Sequence, residues 1–185
     1  MNKRGGGTAI YSRNRINHAE IDISDYIGNE IEATFVDYPG LQLSILCVYL
    51  PPQLNSASLK QVRESINNIM DDHLANLPSR RIIILGDFNM FDVKLLCSDL
   101  NLTDIVDKPT RGNRILDHIL VSEELARVYD TSTVSIESPI GKSDHASLMV
   151  KPSNTLSDFA SGRCHTVLDY RESSMAEFFR SGQQD

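Results

Sequence analysis

Apolar and polar residues alternate along part of the first fifty positions in a way typical of β-strands. Residues 31–37 (IEATFVD) and 41–50 (LQLSILCVYL) carry this pattern on either side of a Tyr-Pro-Gly turn, and together they predict a β-hairpin. Two prolines end the second strand, because proline has no backbone N–H to donate to a strand ladder. A shorter run, TAIYS at 8–12, predicts a further strand.

The next segments change from strand periodicity to helix periodicity. Residues 58–75 place apolar side chains at the spacing of one helix face, which predicts a helix that packs on a core. RIIIL at 81–85 is apolar on successive positions, as expected of a central strand that is covered on both faces. A short helix is predicted at 92–99. Strands that alternate with helices in this way predict a layered α/β fold with mixed sheets.

The elements predicted after residue 100 are shorter. Strands are expected at 115–122, 132–137 and 146–150, with a short helix at 122–129. From residue 152 the composition becomes rich in serine and glycine, which is typical of a linker. The tail at 152–185 is therefore predicted to be mostly irregular, with at most a marginal helix at SSMAEFFR.

Composition and charge limit the class of protein. With 185 residues the chain is long enough for one domain with a sizeable core. The hydrophobic fraction of 41% and the charged fraction of 23% are typical of a soluble globular protein. The net charge of −7 argues against binding of nucleic acid through a broad basic surface. It leaves a nuclease open, because a bound divalent cation can supply positive charge at one site.

Cysteine usage and the lack of long apolar runs point to an intracellular protein. The cysteines at 47, 97 and 164 are widely spaced and form no CxxC or Cys/His cluster, so neither a zinc site nor a disulfide framework is indicated. A reducing compartment is the simplest interpretation. No apolar run approaches the roughly 20 residues that span a bilayer, so no membrane partner is expected.

Polar side chains follow, interrupt or precede three of the predicted strands. Asp87 and Asn89 come directly after RIIIL, Asp117 lies within ILDHIL, and Asp144 and His145 precede the last strand. Ligands of layered α/β domains gather at strand ends, so these groups are expected to share one cleft. Carboxylates that lie so close repel one another unless a cation shares the site. A hard, oxygen-liganded ion such as Mg²⁺ is the natural partner.

These residue types suit hydrolysis of a phosphate ester. A carboxylate can orient and deprotonate water, while an amide and an imidazole hold the phosphate oxygens and a metal neutralises the developing charge. A structural interpretation stands beside this one. GDFN can be a Gly/Asp/Asn turn that ends a buried strand, and His145 can be a surface residue at the start of a strand. Tyr49 can be an aromatic residue that simply favours a strand.

The other histidines are expected to have structural or surface positions. His118 follows Asp117 directly, so strand alternation places the two side chains on opposite faces of the sheet. His18, His73 and His165 have no partner at metal-ligand spacing and are predicted to lie on the surface.

The order of the motifs resembles that of a known group of enzymes. GGGTAIYSR, VYLPP, LGDFN, PTRGNRILDHILVS and SDHASL follow one another as in the endonuclease/exonuclease/phosphatase superfamily. Within it, the chain is most similar to the endonuclease domain of non-LTR retrotransposons. The resemblance covers about residues 4–151 and implies an α/β sandwich, in which two mixed sheets pack face to face with helices outside. It also implies that the first strands of the family precede this chain.

The resemblance assigns roles to individual residues. Asp87 would position and activate the attacking water, with Asn89 helping to hold the water and the phosphate. His145 would bind the scissile phosphate as a cation. Asp117 would hydrogen-bond His145 and fix its orientation, a task that carboxylates often perform. Tyr49 would contact the phosphate or assist the leaving group.

The remaining roles concern the metal and the substrate. By the resemblance, Asp144 would be a ligand of Mg²⁺ or Mn²⁺, and Thr110, Arg111 and Ser143 would line the DNA path. The glutamate that is the family's principal metal ligand belongs to the portion expected to precede this chain. Leu50 stands where related sequences often carry arginine in VYRPP, which puts one DNA or phosphate contact in doubt.

The resemblance therefore implies a metal-dependent endonuclease that nicks nuclear DNA for reverse transcription. A reverse transcriptase domain would be its partner in the intact polyprotein. Two alternatives remain open at this point. The chain can be a truncated, inactive remnant without the metal-binding glutamate. It can also be a phosphatase or phosphodiesterase of the same superfamily that acts on a substrate other than DNA.

Overall fold

The computed structural model describes residues 7–28 and 31–153. The strands within these residues are β1 (Ala19–Ile21), β2 (Glu32–Tyr38), β3 (Leu43–Tyr49), β4 (Arg81–Asp87), β5 (Leu102–Asp104), β6 (Asp117–Ser122), β7 (Val134–Glu137) and β8 (Ser147–Val150). The α-helices are α1 (Ser56–Asn76), α2 (Val93–Leu100) and α3 (Glu123–Ala126). The predicted tail helix lies outside the described residues.

Six of the strands form one mixed sheet in the order β1-β2-β3-β4-β6-β5. β3 and β4 run parallel, with α1 as the connection between them, and the other neighbours are antiparallel. β7 and β8 form a second, antiparallel sheet. The predicted hairpin is confirmed as β2 and β3, and the predicted layered α/β fold is confirmed as well.

The two faces of the large sheet bury different side chains because residues alternate along β4. Ile82 and Ile84 belong to the core that also contains apolar residues of α1. Ile83 and Leu85 pack on the other face, in a cluster that includes Val134 of β7 and residues of β8. The succession of apolar residues in RIIIL is therefore explained by helices on one face and the small sheet on the other.

Helix α1 begins and ends close to its predicted bounds. The side chain of Asn55 caps it by accepting a hydrogen bond from the backbone N–H of Ser58 at 2.9 Å. Its buried stripe includes Val62, Ile66 and Met70, and burial of each such side chain contributes about 1.5–3 kcal/mol to folding. No helix within residues 7–28 and 31–153 has the length and apolar character needed to cross a membrane.

Two predictions about individual elements are wrong, and a third is confirmed only in part. Residues 8–12 form no strand, because their contacts with β2 include side-chain hydrogen bonds instead of a backbone ladder. The hydroxyls of Thr8 and Thr34 lie 2.7 Å apart, for example. The short helix predicted at 122–129 is confirmed in part, as the single turn α3. His73, a residue of α1 that was predicted to lie on the surface, is buried against the large sheet.

Candidate active site

Strand register places four polar side chains in one row across the large sheet. Glu32 pairs with Tyr49, Tyr49 pairs with Asp87, and Asp87 pairs with Asp117. Directly paired residues project from the same face of a sheet. Because Asp87 lies two and four positions after Leu85 and Ile83 in β4, it shares their face of the sheet. The row therefore lies on the face that also packs against the small sheet.

The end of β4 is held tightly before Asp87. Gly86 has a φ of 143°, and a Cβ atom there would lie 1.8 Å from the carbonyl oxygen of Val48. Only glycine fits this close approach. The backbone carbonyl of Asp87 accepts a hydrogen bond from the N–H of Leu50 at 2.9 Å, so β3 fixes the peptide from which the carboxylate projects.

Asn89 completes the turn after β4. It has a φ of 49°, in the left-handed region that asparagine tolerates better than most residues. Its backbone N–H donates to Oδ1 of Asp87 at 3.0 Å, and its side-chain Nδ2 donates to the carbonyl of Leu50 at 2.7 Å. The asparagine therefore orients the Asp87 carboxylate. The second N–H of its amide remains to donate to a phosphate oxygen or a water, and the side-chain oxygen can accept from a water.

His145 is brought to this row by the segment before β8. Its Nδ1 donates to Oδ2 of Asp117 at 2.8 Å, and its Nε2 lies 3.8 Å from Oδ2 of Asp87. All three side chains are about one-fifth exposed. The gap between Nε2 and the Asp87 carboxylate is too long for a direct hydrogen bond, so both groups are free to contact a third atom between them.

The electrostatics of the cluster favour a proton or a cation near Asp87. Burial raises the pKa of the Asp87 carboxyl above its ordinary value, and the neighbouring charge of Asp117 raises it further. The N–H of Asn89 and the positive charges of His145 and Arg111 act in the opposite direction without cancelling the rise. Asp87 is thus a stronger base than a solvent-exposed aspartate.

The donor set fits a divalent cation. Ligand atoms of Asp87, Asp117 and His145 lie within 4.8 Å of one another, and this is the one such group of acidic, histidine or cysteine residues in the part of the chain that the structure describes. Two carboxylates suit a hard ion such as Mg²⁺, and an imidazole is compatible with other divalent metals. A cation here would relieve the repulsion that raises the pKa of Asp87.

Asp144, the predicted metal ligand, does not join this cluster. Its carboxylate pairs with Arg111, with Oδ2 lying 2.6 Å from Nη2. The hydrogen bond from Arg111 lowers the pKa of Asp144 below its ordinary value. Both side chains are exposed, and metal binding by Asp144 would have to displace this ion pair.

The other predicted site residues occupy different environments. Tyr49 is half-buried beside Asp87, and Ser143 is exposed, with its hydroxyl accepting the backbone N–H of His145 at 3.1 Å. Thr110, which was expected to line a DNA path, is only 2% exposed. Its hydroxyl accepts hydrogen bonds from the chain at the start of β6, so it faces the protein interior instead of a substrate surface.

Glu32 belongs to the row but was not among the predicted site residues. Glu32 lies two strands from Asp87, and its carboxylate accepts a hydrogen bond from the backbone N–H of Gly7. The signal that could have found it is the register of the hairpin. Counting outward from the turn pairs position 32 with Tyr49, the predicted site tyrosine.

Fold and site together define a layered α/β protein of the nuclease and phosphatase class. The chain belongs to the endonuclease/exonuclease/phosphatase family, whose sequence model matches residues 1–153. None of the curated proteins matches the sequence.

One solved structure shares the fold at low sequence identity, and two others match more weakly. The endonuclease domain of TRAS1, a telomere-specific non-LTR retrotransposon, matches with a TM-score of 0.52 and 14% identity, over 74% of this chain and 68% of that one. The 3′ phosphatase NExo from Neisseria, bound to a product DNA hairpin, gives 0.47 and 18%, over 65% and 64% of the two chains. The human Nocturnin catalytic domain with a bound sulfate gives 0.44 and 19%, over 64% and 50%. At these identities the likeness concerns the fold alone.

Proposed function

We propose that this protein is a metal-dependent phosphodiester hydrolase, a DNA endonuclease of the retrotransposon type. The observation that carries the proposal is the meeting of Asp87, Asp117 and His145 in one cluster, with the Asp117–His145 hydrogen bond at 2.8 Å. These residues come from three separate segments of the chain, and a purely structural turn after β4 would not require them to meet.

Asp87 acts as the general base in this proposal. A water molecule beside its carboxylate gives up a proton as its oxygen attacks the phosphorus atom, and the bond from phosphorus to the leaving oxygen breaks. The leaving oxygen then takes a proton from water. Such a base contributes roughly 10²–10⁴-fold in rate.

His145 binds the phosphate in its protonated form. Because Asp117 accepts the Nδ1 proton, the ring turns its Nε2 towards Asp87, where a phosphate oxygen would lie. The charge of the imidazolium then stabilises the charge that builds on phosphorus-bound oxygens in the transition state. A divalent cation held by the carboxylates would add Lewis-acid stabilisation to the same oxygens.

DNA is the substrate that the resemblance of the motifs favours. TRAS1, which shares the fold, is described as the endonuclease of a telomere-specific non-LTR retrotransposon. Arg114, in an exposed turn, supplies a cation for a backbone phosphate, and Arg111 in the same turn would supply another by exchanging its ion pair with Asp144. In the intact element, the nick would be made in nuclear DNA and would serve a reverse transcriptase.

Nicking of supercoiled plasmid tests the proposal. We expect open-circle product with Mg²⁺ or Mn²⁺, none with a chelator, and strongly reduced product with His145→Gln. Metal-independent nicking, or nicking that survives this substitution unchanged, would contradict the assignment. A parallel panel of phosphoinositide, sphingomyelin and nucleotide substrates separates DNA cleavage from the other activities of the superfamily. Hydrolysis of one of these without nicking would reassign the substrate.

A further inference from the structure

Thr110 lies where the two segments that carry Asp117 and His145 meet. It stands in the connection between β5 and β6, at the first residue of a tight turn closed by hydrogen bonds to Arg114. With 2% of its surface exposed, it has almost no area to offer a substrate. Its polar atoms must therefore act within the protein.

The hydroxyl of Thr110 holds the backbone at the start of β6. Oγ1 accepts hydrogen bonds from the N–H groups of Leu116 and Asp117, both at 3.1 Å. One oxygen thus fixes two successive peptides, and the second belongs to the residue whose carboxylate contacts His145. The N–H of Phe88, directly after β4, donates to the carbonyl of Leu116 at 2.8 Å and so holds the peptide that joins Leu116 to Asp117.

The main chain of Thr110 holds the segment that carries His145. Its carbonyl oxygen accepts a hydrogen bond from the N–H of Ala146, the next residue along, at 2.7 Å. The Arg111–Asp144 ion pair joins the same two segments one residue further out. Thr110 therefore holds both of the segments that carry the imidazole–carboxylate hydrogen bond between His145 and Asp117.

We propose that Thr110 is a positioning residue, whose hydroxyl sets the orientation of Asp117 towards His145. The expected effect of Thr110 on DNA cleavage rests on the proposed function. The expected effect of Thr110 on the Asp117–His145 hydrogen bond does not. A displacement of about 1 Å in a catalytic group can lower a rate roughly 10²-fold, so one buried hydroxyl can matter for turnover without touching substrate.

Two substitutions isolate the hydroxyl. Thr110→Val keeps the shape of the side chain and removes the acceptor, which leaves two buried N–H groups without their partner. Thr110→Ser keeps the acceptor and removes only a methyl group. Each variant is first checked for folding by thermal denaturation and by a backbone amide NMR spectrum.

The decisive readout is the proton NMR signal of the His145 Nδ1–H, assigned by its absence in His145→Gln. In the wild type we expect a downfield signal that is protected from exchange by the hydrogen bond to Asp117. Thr110→Val should lose or shift this signal, as Asp117→Asn should, and Thr110→Ser should retain it. Metal-dependent nicking should fall roughly 10²-fold in Thr110→Val and recover in Thr110→Ser.

The outcomes separate this proposal from the proposed function. An unchanged Nδ1–H signal in folded Thr110→Val overturns the positioning role, whatever the nicking rate. Weaker DNA binding with an unchanged signal would instead indicate direct substrate contact. A wild type that never nicks DNA refutes the proposed function, while the NMR comparison still decides the role of Thr110. If Thr110→Val and Thr110→Ala both fail to fold, the residue is structural and the proposal is wrong.

Discussion

The Nδ1 atom of His145 lies 2.8 Å from Oδ2 of Asp117, although 28 positions separate the two residues in the chain. This hydrogen bond joins β6 of the large sheet to the segment before β8 of the small one. It fixes the tautomer and direction of the imidazole, so that Nε2 and the Asp87 carboxylate can contact the same substrate atom. The chemistry proposed for the protein depends on this relationship.

Asp117→Asn should reduce nicking while leaving the fold intact. The amide can still occupy the carboxylate's place, but it stabilises the imidazolium less and can favour the wrong tautomer. We expect a loss of roughly 10–100-fold, the usual range for a residue that orients a catalytic histidine or a metal ligand. Asp107→Asn, an exposed change in the connection before β6, is the control and should leave the rate unaltered.

Gly86→Ala should destabilise the protein strongly. The added Cβ would sit 1.8 Å from the Val48 carbonyl oxygen, and the φ of 143° is unfavourable for any side chain. Backbone strain alone costs about 1–3 kcal/mol, and the clash adds to it. Urea unfolding measures the loss, and Gly40→Ala, where a Cβ meets no atom within 4 Å, is the matched change. Equal midpoints for the two variants would contradict the close approach of β3 and β4.

Stability should fall as the pH drops through the titration range of His73. Burial lowers the pKa of this imidazole below 6.5, with Arg80 acting in the same direction and Asp37 opposing it. The ring packs against Phe35, and Ser44, which donates to Asp37, accepts from its Nε2 at 2.8 Å. The folded state therefore prefers the neutral ring, and the unfolded chain binds more protons as the pH falls below about 6.5.

The expected result is a positive slope of unfolding free energy against pH below that point, with the stabilisation fully present above it. Urea titrations between about pH 5 and pH 8 measure the slope. His73→Gln should flatten it. His18→Gln, at an exposed ring with no comparable burial, should not. An unchanged slope in the His73 variant would show that another group is responsible.

Arg80→Met should cost far more than the same change at an exposed ion pair. Arg80 donates to both carboxylate oxygens of Asp37, at 2.8 and 3.1 Å, and both side chains are nearly buried. Loss of one partner leaves a buried charge, which costs about 3–5 kcal/mol. Arg127→Met breaks the exposed pair with Glu123 and should cost only about 0–1 kcal/mol. Chemical denaturation of the two variants at neutral pH gives the comparison.

Local patterns were sufficient for the central strands and for part of the candidate site. The hairpin, β4 and α1 follow from periodicity and turn residues within one stretch of sequence. His118 also lies on the face opposite Asp117, as alternation predicts, and hydrogen-bonds to Asp104 at 2.7 Å. Three of the predicted site residues, Asp87, Asp117 and His145, meet in space. Their positions at the ends of predicted strands led us to expect this meeting.

The failures share a long-range cause. Residues 8–12 have the composition of a strand but pair with no other strand in the part of the chain that the structure describes. A local pattern of residues does not determine which strand a segment pairs with. β1, with only three residues and two of them exposed, gives too weak a signal. Burial of Thr110 and His73 depends on which segments pack over them. The ion pair of Asp144 with Arg111 also joins residues that lie 33 positions apart.

The central claim is that the carboxylate at the end of β4 activates water for phosphodiester cleavage. The most direct measurement is the single-turnover rate of Mg²⁺-dependent plasmid nicking by the wild type, Asp87→Asn and Asp71→Asn, the last being an exposed change on α1. The account predicts that Asp87→Asn loses roughly 10²–10⁴-fold in rate while Asp71→Asn equals the wild type. Equal rates for all three proteins would contradict it.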